Sequence, residues 1–594
     1  MFYQSFKKAF NRFIVWLQTK LNAQQFLIVL AIIIGISAGL MAVLLKTMVH
    51  SIRELILGSD TQVIGHYWWA LFPTVGILLT IFFVRNILGG QLNKGTASVL
   101  YAISQKSSKI SREHTYAHVI TSGLTVGYGG SAGLEAPIVV TGSALGANLA
   151  QIVQANYRDR SLLLACGAAA GIGAAFNAPI TGVVFALEIL LTGASTTAYV
   201  PLMVAAVCGA LCSKIILNET TLFSFVLKQP FNYHNLPYYF LLANIIAFMA
   251  VYYARFTHRI EAFFKQLPTN PYLRGIVGGG ILFLLMVLFP PLFGEGYSSI
   301  TLLAESNPEA LLSNSILANY ITQPYYIVAF IAAIALVKVV ATSVTLSSGG
   351  NGGNFAPSLF VGGYIGFLLA RLLNMLTNQQ ISESNFIMVG MAGMLSGVFY
   401  APLSAIFLIL ELTHGYELMI PLMLVSALVY AICRQFEPYS MDTKRLAEQG
   451  LLLTRDKDQN VLNYLKIDKL IENNFVTVSP DATFAVLLDA VSQSKRNIFP
   501  IIDNNQQFIG FILLENILPI MRTTDLNQSI ADKHLIQQPH AIVQLTDSMQ
   551  TVMKKFDDAD AWYLPVVEGE KYVGFITKSN VFKAYREQLI HTQQ

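Results

Sequence analysis

Long stretches without an acidic or basic side chain constrain this chain more than any other feature. Four of them cover residues 26–45, 67–84, 161–187 and 189–213. A helix needs about 17–25 mostly apolar residues to cross the hydrocarbon core of a bilayer. Only 12% of the 594 residues are charged, whereas soluble domains average about 25%. The sequence therefore predicts a polytopic α-helical membrane protein.

The apolar character ends near residue 440, and this change sets the predicted domain boundaries. We expect a cytosolic amphipathic helix over residues 1–22, because this segment combines basic with bulky apolar side chains and contains no acid. A transmembrane domain should follow over 23–440. A charged linker over 441–465 then leads to a soluble α/β domain over 466–590.

One carboxylate, Glu135, interrupts an otherwise uncharged stretch between residues 115 and 157. It lies in Gly129-Gly-Ser-Ala-Gly-Leu-Glu-Ala-Pro137. An acidic side chain at membrane depth costs about 2.5–3.5 kcal/mol even on the most lenient insertion scale. Such a residue is by default a functional-site candidate.

The membrane part also contains an internal repeat. The peptide Ala178-Pro-Ile-Thr, which leads to Glu188, returns 223 residues later as Ala401-Pro-Leu-Ser, which leads to Glu411. The Glu135 peptide has a partner as well, because Gly133-Leu-Glu-Ala-Pro137 parallels Gly353-Asn-Phe-Ala-Pro357. Repeats of this kind are typical of transporters, whose substrate sites form on broken helices at the repeat interface.

The glycine-rich peptides predict two such breaks. Residues 347–357 read Ser-Ser-Gly-Gly-Asn-Gly-Gly-Asn-Phe-Ala-Pro in the middle of an uncharged stretch, and this composition cannot continue a helix. Pro137 and Pro357 suit the first turn of the helices that follow. A helix N-terminus offers unpaired N–H donors and about half a positive charge, so two of them make a weak anion site. Glu135 can occupy that site and block it until it is protonated or displaced.

The soluble tail repeats a strand, helix, strand, turn, strand pattern twice. Residues 475–480, 483–494, 498–502 and 508–513 form the first copy, and 541–546, 548–557, 563–567 and 572–577 the second. The pattern resembles a tandem pair of CBS domains, which often bind adenine nucleotides. The resemblance implies a weak nucleotide site at Thr577 and Asn580, where Asn replaces the usual Asp. The alternative is an assembly module without a ligand.

Three motifs in order resemble those of the CLC family of chloride channels and chloride/proton exchangers. They are Gly133-Leu-Glu-Ala-Pro137, Gly353-Asn-Phe-Ala-Pro357 and Pro438-Tyr439-Ser440. The resemblance implies an inverted-repeat CLC fold and a homodimer with one pore per subunit. It makes Glu135 the gate. The implied anion donors are the backbone N–H groups of Leu134, Glu135, Asn354, Phe355 and Ala356 and the hydroxyl of Tyr439.

Two positions depart from the family pattern. The serine of the family's Gly-Ser-Gly-Ile-Pro motif is missing from Asn93-Lys94-Gly95-Thr96-Ala97. Lys94 either places a positive charge near the inner mouth or reaches to the membrane interface. The inner proton-relay glutamate of the exchangers is replaced by Ile189, and Glu188 beside it is expected to have an architectural role because it recurs as Glu411.

These departures favour a Glu135-gated chloride channel, opened by pH, anion or voltage. The alternative is a chloride/proton antiporter, and a second alternative is a membrane-anchored nucleotide-sensing regulator. We expect no enzymatic activity, metal site, required cofactor or nucleic-acid partner. The expected partners are chloride or another small anion, the lipid bilayer and a second copy of the chain. The expected location is a bacterial inner membrane, with the N-terminus and the CBS domains cytoplasmic.

Overall fold

The computed structural model describes residues 19–58, 67–90, 92–191, 196–217, 231–268, 270–313, 315–318, 320–321, 323–377, 380–413, 415–448, 465–531 and 535–593. Most of the N-terminal helix predicted over residues 1–22, and most of the linker predicted over 441–465, lie outside the described residues. The chain divides into two compact units, Met1–Leu452 and Leu453–Gln594.

The described elements of the first unit are helices joined by short non-helical segments. Its first half contains α1 (Ala23–Leu57), α2 (Phe72–Asn86), α3 (Thr96–Gln105), α4 (His114–Gly127), α5 (Glu135–Ile152), α6 (Tyr157–Phe176), α7 (Pro179–Phe185) and α8 (Tyr199–Leu217). Its second half contains α9 (Leu236–Gln266), α10 (Pro271–Leu288), α11 (Tyr297–Ala304), α12 (Pro324–Ser347), α13 (Phe355–Thr377), α14 (Glu383–Phe399), α15 (Pro402–Thr413), α16 (Met419–Phe436) and α17 (Lys444–Glu448). Within the described ranges, nine helical segments are long and apolar enough to cross a membrane.

The repeat predicted from the sequence appears as matched local structure. Asn177 caps the C-terminus of α6 and Tyr400 caps that of α14. Both capping residues adopt the left-handed conformation, with φ of 55° and 58°. Each is followed by a short helix that begins with proline, α7 at Pro179 and α15 at Pro402. A proline at a first helical position loses no intrahelical hydrogen bond.

Glycines let the helices of each half approach closely. A Cβ atom added to Gly142 would collide with the carbonyl of Gly167, and one added to Gly362 would collide with that of Gly390. The first pair joins α5 to α6 and the second joins α13 to α14. Small residues at such crossings are typical of helix packing in membranes.

The second unit is α/β. It contains α18 (Phe484–Gln493), β1 (Ile498–Ile502), β2 (Phe508–Leu513), α19 (Leu514–Ile517), β3 (Val543–Gln544), α20 (Met549–Asp558), β4 (Tyr563–Glu568), β5 (Lys571–Thr577) and α21 (Lys578–Gln593). Strands β1 and β2 pair antiparallel, β3 pairs parallel with β4, and β4 pairs antiparallel with β5. The strand predicted over 475–480 is wrong, because within it only Val478 bridges to a strand residue, Ile501.

Each copy of the tail repeat has its own apolar core. The first is built around Phe484, Phe499 and Ile512, and the second around Phe556, Val566 and Ile576. Helix α20 begins where the Ser548 side chain accepts a hydrogen bond from the Thr551 N–H, which satisfies one of the unpaired donors at the helix end.

Candidate functional site

The two broken-helix peptides pair directly with each other. The Gly133 N–H donates to the Gly353 carbonyl over 2.8 Å, and the Gly353 N–H donates to the Gly133 carbonyl over 2.8 Å. The bridge is antiparallel, so the two peptides run in opposite directions where they pair. This pairing satisfies backbone groups that could not find water inside a bilayer.

Glu135 lies where the two helix N-termini converge. It is the first residue of α5, and its side chain is 3% exposed. The Tyr297 hydroxyl donates to its Oε1 over 2.5 Å. The carboxyl also faces the backbone N–H groups of Glu135 itself and of Ala356, while Oε2 makes no hydrogen bond of ordinary geometry. A carboxylate therefore occupies the place that two helix ends prepare for an anion.

Two of the other predicted anion donors, Leu134 and Phe355, have neighbours of their own. The Leu134 N–H faces the carboxyl of Glu295. The buried ring of Phe355 packs between Phe176 and Phe399, with centroids 5.4 and 5.5 Å away. These two rings end α6 and α14, the matched helices of the repeat.

Asn354 is held from the side. Its Oδ1 accepts a hydrogen bond over 3.1 Å from the hydroxyl of Tyr253, which is fully buried. This contact fixes the amide of Asn354 just before the start of α13.

Tyr439 does not contact the two glycine-rich peptides in the described contacts. Its side chain is 41% exposed and lines a cavity with Glu188, Ile189 and Asp442. Its predicted role as an anion donor stays a prediction, and the described geometry gives it no hydrogen bond that would hold it at a central site.

The Lys94 side chain turns inward. Its ammonium group donates to the carbonyls of Gly349 and Gly350 over 3.1 and 2.7 Å. The alternative in which Lys94 reaches to the membrane interface is therefore wrong. The side chain instead places a positive charge on the second broken peptide and satisfies two of its carbonyl groups.

Glu188 and Glu411 each cap a short helix in the opposite half of the molecule. Glu188 accepts hydrogen bonds from the N–H groups of Leu403 and Ser404 over 3.1 and 2.9 Å. In the same way, Glu411 accepts from the N–H groups of Ile180 and Thr181 over 2.8 and 2.7 Å. Both carboxylates thus bind the first turn of the short helix in the opposite half, as the repeat of Glu188 at Glu411 indicated.

Ile189 faces a cavity of about 190 Å³. Its lining comprises Leu100, Glu188, Ile189, Phe399, Tyr400, Tyr430, Arg434, Pro438, Tyr439, Ser440, Asp442 and Thr443. Asp442 contributes a partly buried carboxyl there, and Thr96, the first residue of α3, hydrogen-bonds to it. Burial raises the pKa of Asp442 to about 6, against the lowering influence of the Thr96 hydrogen bond and of His258.

Three residues of the site were not predicted from the sequence: Tyr297, Glu295 and Lys338. The sequence could have indicated two of them, because each is a charged residue next to or within a long uncharged stretch. Glu295 is the first charge after the uncharged residues 275–294, and Lys338 is the lone charge between Glu309 and Arg371. Tyr297 follows Gly294-Glu-Gly296, a short glycine-rich peptide before α11.

In the tail, Thr577 and Asn580 bond to the protein itself. The Thr577 hydroxyl donates to Glu472 Oε1 over 2.7 Å and accepts from the Asn580 N–H over 3.2 Å. The Asn580 side-chain amide donates to the Leu470 carbonyl over 3.0 Å. These bonds join the start of α21 to the segment that precedes the first repeat, and the nucleotide site stays a prediction.

Comparison with known proteins places this geometry in a family. The voltage gated chloride channel family matches residues 89–434, and the CBS domain family matches residues 467–522 and 533–587. A putative chloride channel protein ClcB-like of Ralstonia nicotianae is 26% identical over 71% of this chain and 96% of its own length. The H(+)/Cl(-) exchange transporter ClcA of Vibrio vulnificus is 26% identical over 72% of this chain and 90% of its own.

The fold agrees with a solved structure. A slow cyanobacterial Cl⁻/H⁺ antiporter superposes with a TM-score of 0.62 at 21% identity, over 73% of this chain and 99% of the antiporter chain. The predicted fold class is thereby confirmed, and the protein is a multi-pass membrane protein. Because the first family covers more than half of the sequence, the chain belongs to the CLC voltage-gated chloride channel family and carries a pair of CBS domains.

Proposed function

We propose that the chain moves chloride across a membrane in exchange for protons, with Glu135 as the gate. The observation that carries the proposal is the Glu135 carboxyl at the two paired helix N-termini, where it faces the Ala356 N–H. An incoming chloride would compete for the same donors. Protonation of Glu135 would remove its charge and weaken its hold on them.

Exchange has better support than the passive channel predicted from the sequence. One relative is named as a proton/chloride exchange transporter, and the superposed structure is described as a chloride/proton antiporter. The channel interpretation depends on Ile189, which removes the expected inner acid. Glu188 cannot replace that acid while it binds the first turn of α15.

Asp442 is the best candidate for the missing inner acid. It shares a cavity with Ile189, so a carboxyl from after α16 reaches the space that the lost side chain would have lined. Phe399 lines the same cavity and packs on Phe355 at the anion site. With its pKa raised to about 6, Asp442 can exchange a proton near neutral pH.

The other titratable or charged groups around Asp442 include His258 and the cavity residues Glu188, Arg434, Tyr400, Tyr430 and Tyr439. Of these, Glu188 is engaged by backbone donors and Arg434 donates to the Tyr430 hydroxyl over 2.9 Å. Asp442 is thus the carboxyl of this cavity that is not committed to capping a helix.

The proposal places the chain in a bacterial inner membrane as a homodimer with one pore per subunit. The N-terminus and the CBS domains would face the cytoplasm, which agrees with the basic residues at the N-terminus. Chloride or another small anion is the transported ion. No bound cofactor enters the proposed transport step.

The test is a simultaneous measurement of chloride and proton flux from liposomes that contain the full chain. A chloride gradient should drive protons against their own gradient in the wild type. Glu135→Gln should pass chloride without proton movement. Chloride flux without any proton movement in the wild type would show a passive channel instead.

Asp442→Asn tests the inner acid separately. We expect chloride flux to persist while proton transport falls at least several-fold. Glu448→Gln, an exposed acid of the same segment, is the matched control and should keep both fluxes. If Asp442→Asn remains fully coupled, another group carries the proton and exchange itself still stands.

A further inference from the structure

The peptide Gly294-Glu-Gly-Tyr297 lies beside Glu135, the proposed gate. It links the 3₁₀ turn Pro290–Leu292 to α11, and both of its glycines have positive φ, 66° at Gly294 and 93° at Gly296. The Gly294 N–H donates to the Gly129 carbonyl over 2.9 Å. Gly129 begins the first broken peptide, so this connection holds the two loops together.

The same peptide lies against both residues at the start of α5. The Tyr297 hydroxyl donates a hydrogen bond to Glu135. Two residues earlier, the Glu295 carboxyl faces the Leu134 N–H. A second carboxyl therefore lies at a backbone donor next to those that Glu135 faces.

Two cations balance the two carboxylates. Lys338 is completely buried, donates to the Gly294 carbonyl over 2.9 Å, and lies 4.8 Å from the centre of the Phe360 ring. Both Lys338 and Lys46 are close enough to interact with Glu295, and Lys46 also interacts with Glu135. Burial disfavours a charged Lys338, and the nearby Glu295 carboxylate favours the charged form.

The groups that face Glu295 are therefore Glu135, Tyr297, Lys46, Lys338 and the Leu134 N–H. Glu135 and Glu295 face neighbouring backbone donors and interact electrostatically with each other. Their mutual repulsion favours the state in which one of them is protonated. A chloride bound at the same helix ends would add a third negative charge.

We propose that Glu295 is a second gating carboxylate, which occupies the Leu134 N–H as Glu135 occupies the end of α13. The inference rests on the proposed chloride pathway. A chloride ion can use the Leu134 donor only after Glu295 leaves it or loses its charge. The gate then responds to protons at two carboxylates.

The experiment measures chloride efflux from liposomes between neutral and acidic pH, in the full chain. Four variants are compared: Glu135→Gln, Glu295→Gln, the double variant, and Glu135→Gln combined with Glu305→Gln. Glu305 is an exposed acid at the end of α11, which makes it the matched control. Size-exclusion profiles in detergent establish that each variant is folded.

We expect Glu135→Gln to open the pathway and still to show a several-fold rise of chloride flux at acidic pH. The double variant should lose this rise, and the Glu305 control should keep it. Glu295→Ala should behave as Glu295→Gln does, because either change removes the charge.

The outcomes separate the two proposals. If Glu135→Gln passes no more chloride than the wild type at neutral pH, the proposed gate itself fails. If Glu135→Gln is open and its flux is already independent of pH, the gate stands and Glu295 is not part of it. The same conclusion follows if the double variant keeps the acid response.

Discussion

At the scale of the residue, Tyr297 donates a hydrogen bond to Glu135, the proposed gate. A hydrogen bond to a charged group is worth about 1.5–3 kcal/mol, and its loss should shift the gate toward the open state by roughly 10- to 100-fold. Tyr297→Phe should therefore raise chloride efflux at neutral pH. The flux in liposomes measures this directly, with Tyr320→Phe, an exposed tyrosine, as the control. Equal flux in wild type and Tyr297→Phe would contradict it.

Two glycines at the centre of the site should respond differently to substitution. A Cβ atom on Gly133 would meet the Glu135 carboxylate and the Ala356 Cβ atom, so Gly133→Ala should displace the carboxylate and raise flux at neutral pH. A Cβ atom on Gly353 would lie 2.7 Å from the Ala136 Cβ and 3.2 Å from the Ala136 nitrogen. Gly353→Ala should lower thermal stability because the backbone pair must separate.

Gly280→Ala is the control for both changes, since an added Cβ there meets no atom within 4 Å. Its melting temperature and flux should match those of the wild type. A Gly133→Ala protein with wild-type flux at neutral pH would show that the Glu135 carboxylate tolerates the new methyl group in place.

The sequence predicted Glu135 as a site residue, the two helix breaks and their relation through the repeat. The lone acid, the glycines and the repeated peptides are all visible in the local composition. It did not predict the Gly133 to Gly353 bridge or the bond from Tyr297. Contacts such as these join residues far apart in the chain, and no spacing rule encodes them. Lys94 shows the same limit: its type and place suggested a mouth or an interface, whereas the carbonyls it binds belong to a distant loop.

At the scale of the element, the reciprocal caps make a prediction that distinguishes structure from proton transfer. Glu188→Gln and Glu411→Gln each put an amide against backbone donors, at a cost of about 1–3 kcal/mol. Because the two sites match bond for bond, the falls in melting temperature should be similar. Glu417→Gln, an exposed acid after α15, should have no effect.

Transport measurements should show that Glu188 is a structural cap and does not carry protons. The ratio of protons to chloride ions should be the same in Glu188→Gln as in the wild type, measured on protein that remains folded. A selective loss of proton transport in Glu188→Gln, without an equivalent change in Glu411→Gln, would assign Glu188 a role in the relay after all.

At the scale of the whole molecule, the predicted nucleotide site in the CBS pair can be tested through the stability of the full chain. A nucleotide that bound at Thr577 and Asn580 would raise the melting temperature of the full chain according to its concentration relative to its Kd. Thr577→Val removes the hydroxyl that joins Glu472 to the Asn580 N–H. The nucleotide prediction requires that ATP, ADP or AMP stabilise the wild type more than Thr577→Val. No shift with any of the three would favour the ligand-free assembly module.

The residues of the proposed anion site all lie in one chain, and this leads to a prediction about the proposed dimer. The donors and the gate, from Leu134 and Glu135 to Phe355 and Ala356, and the Tyr297 that binds the gate all belong to a single subunit. In a homodimer the two pathways should therefore work independently. A covalent tandem of a wild-type and a Glu135→Gln copy should show the sum of half of each parent's chloride flux, with proton transport equal to half that of the wild type. A tandem that loses all proton transport would mean that each gate depends on its neighbour, and that the site extends across the subunit boundary.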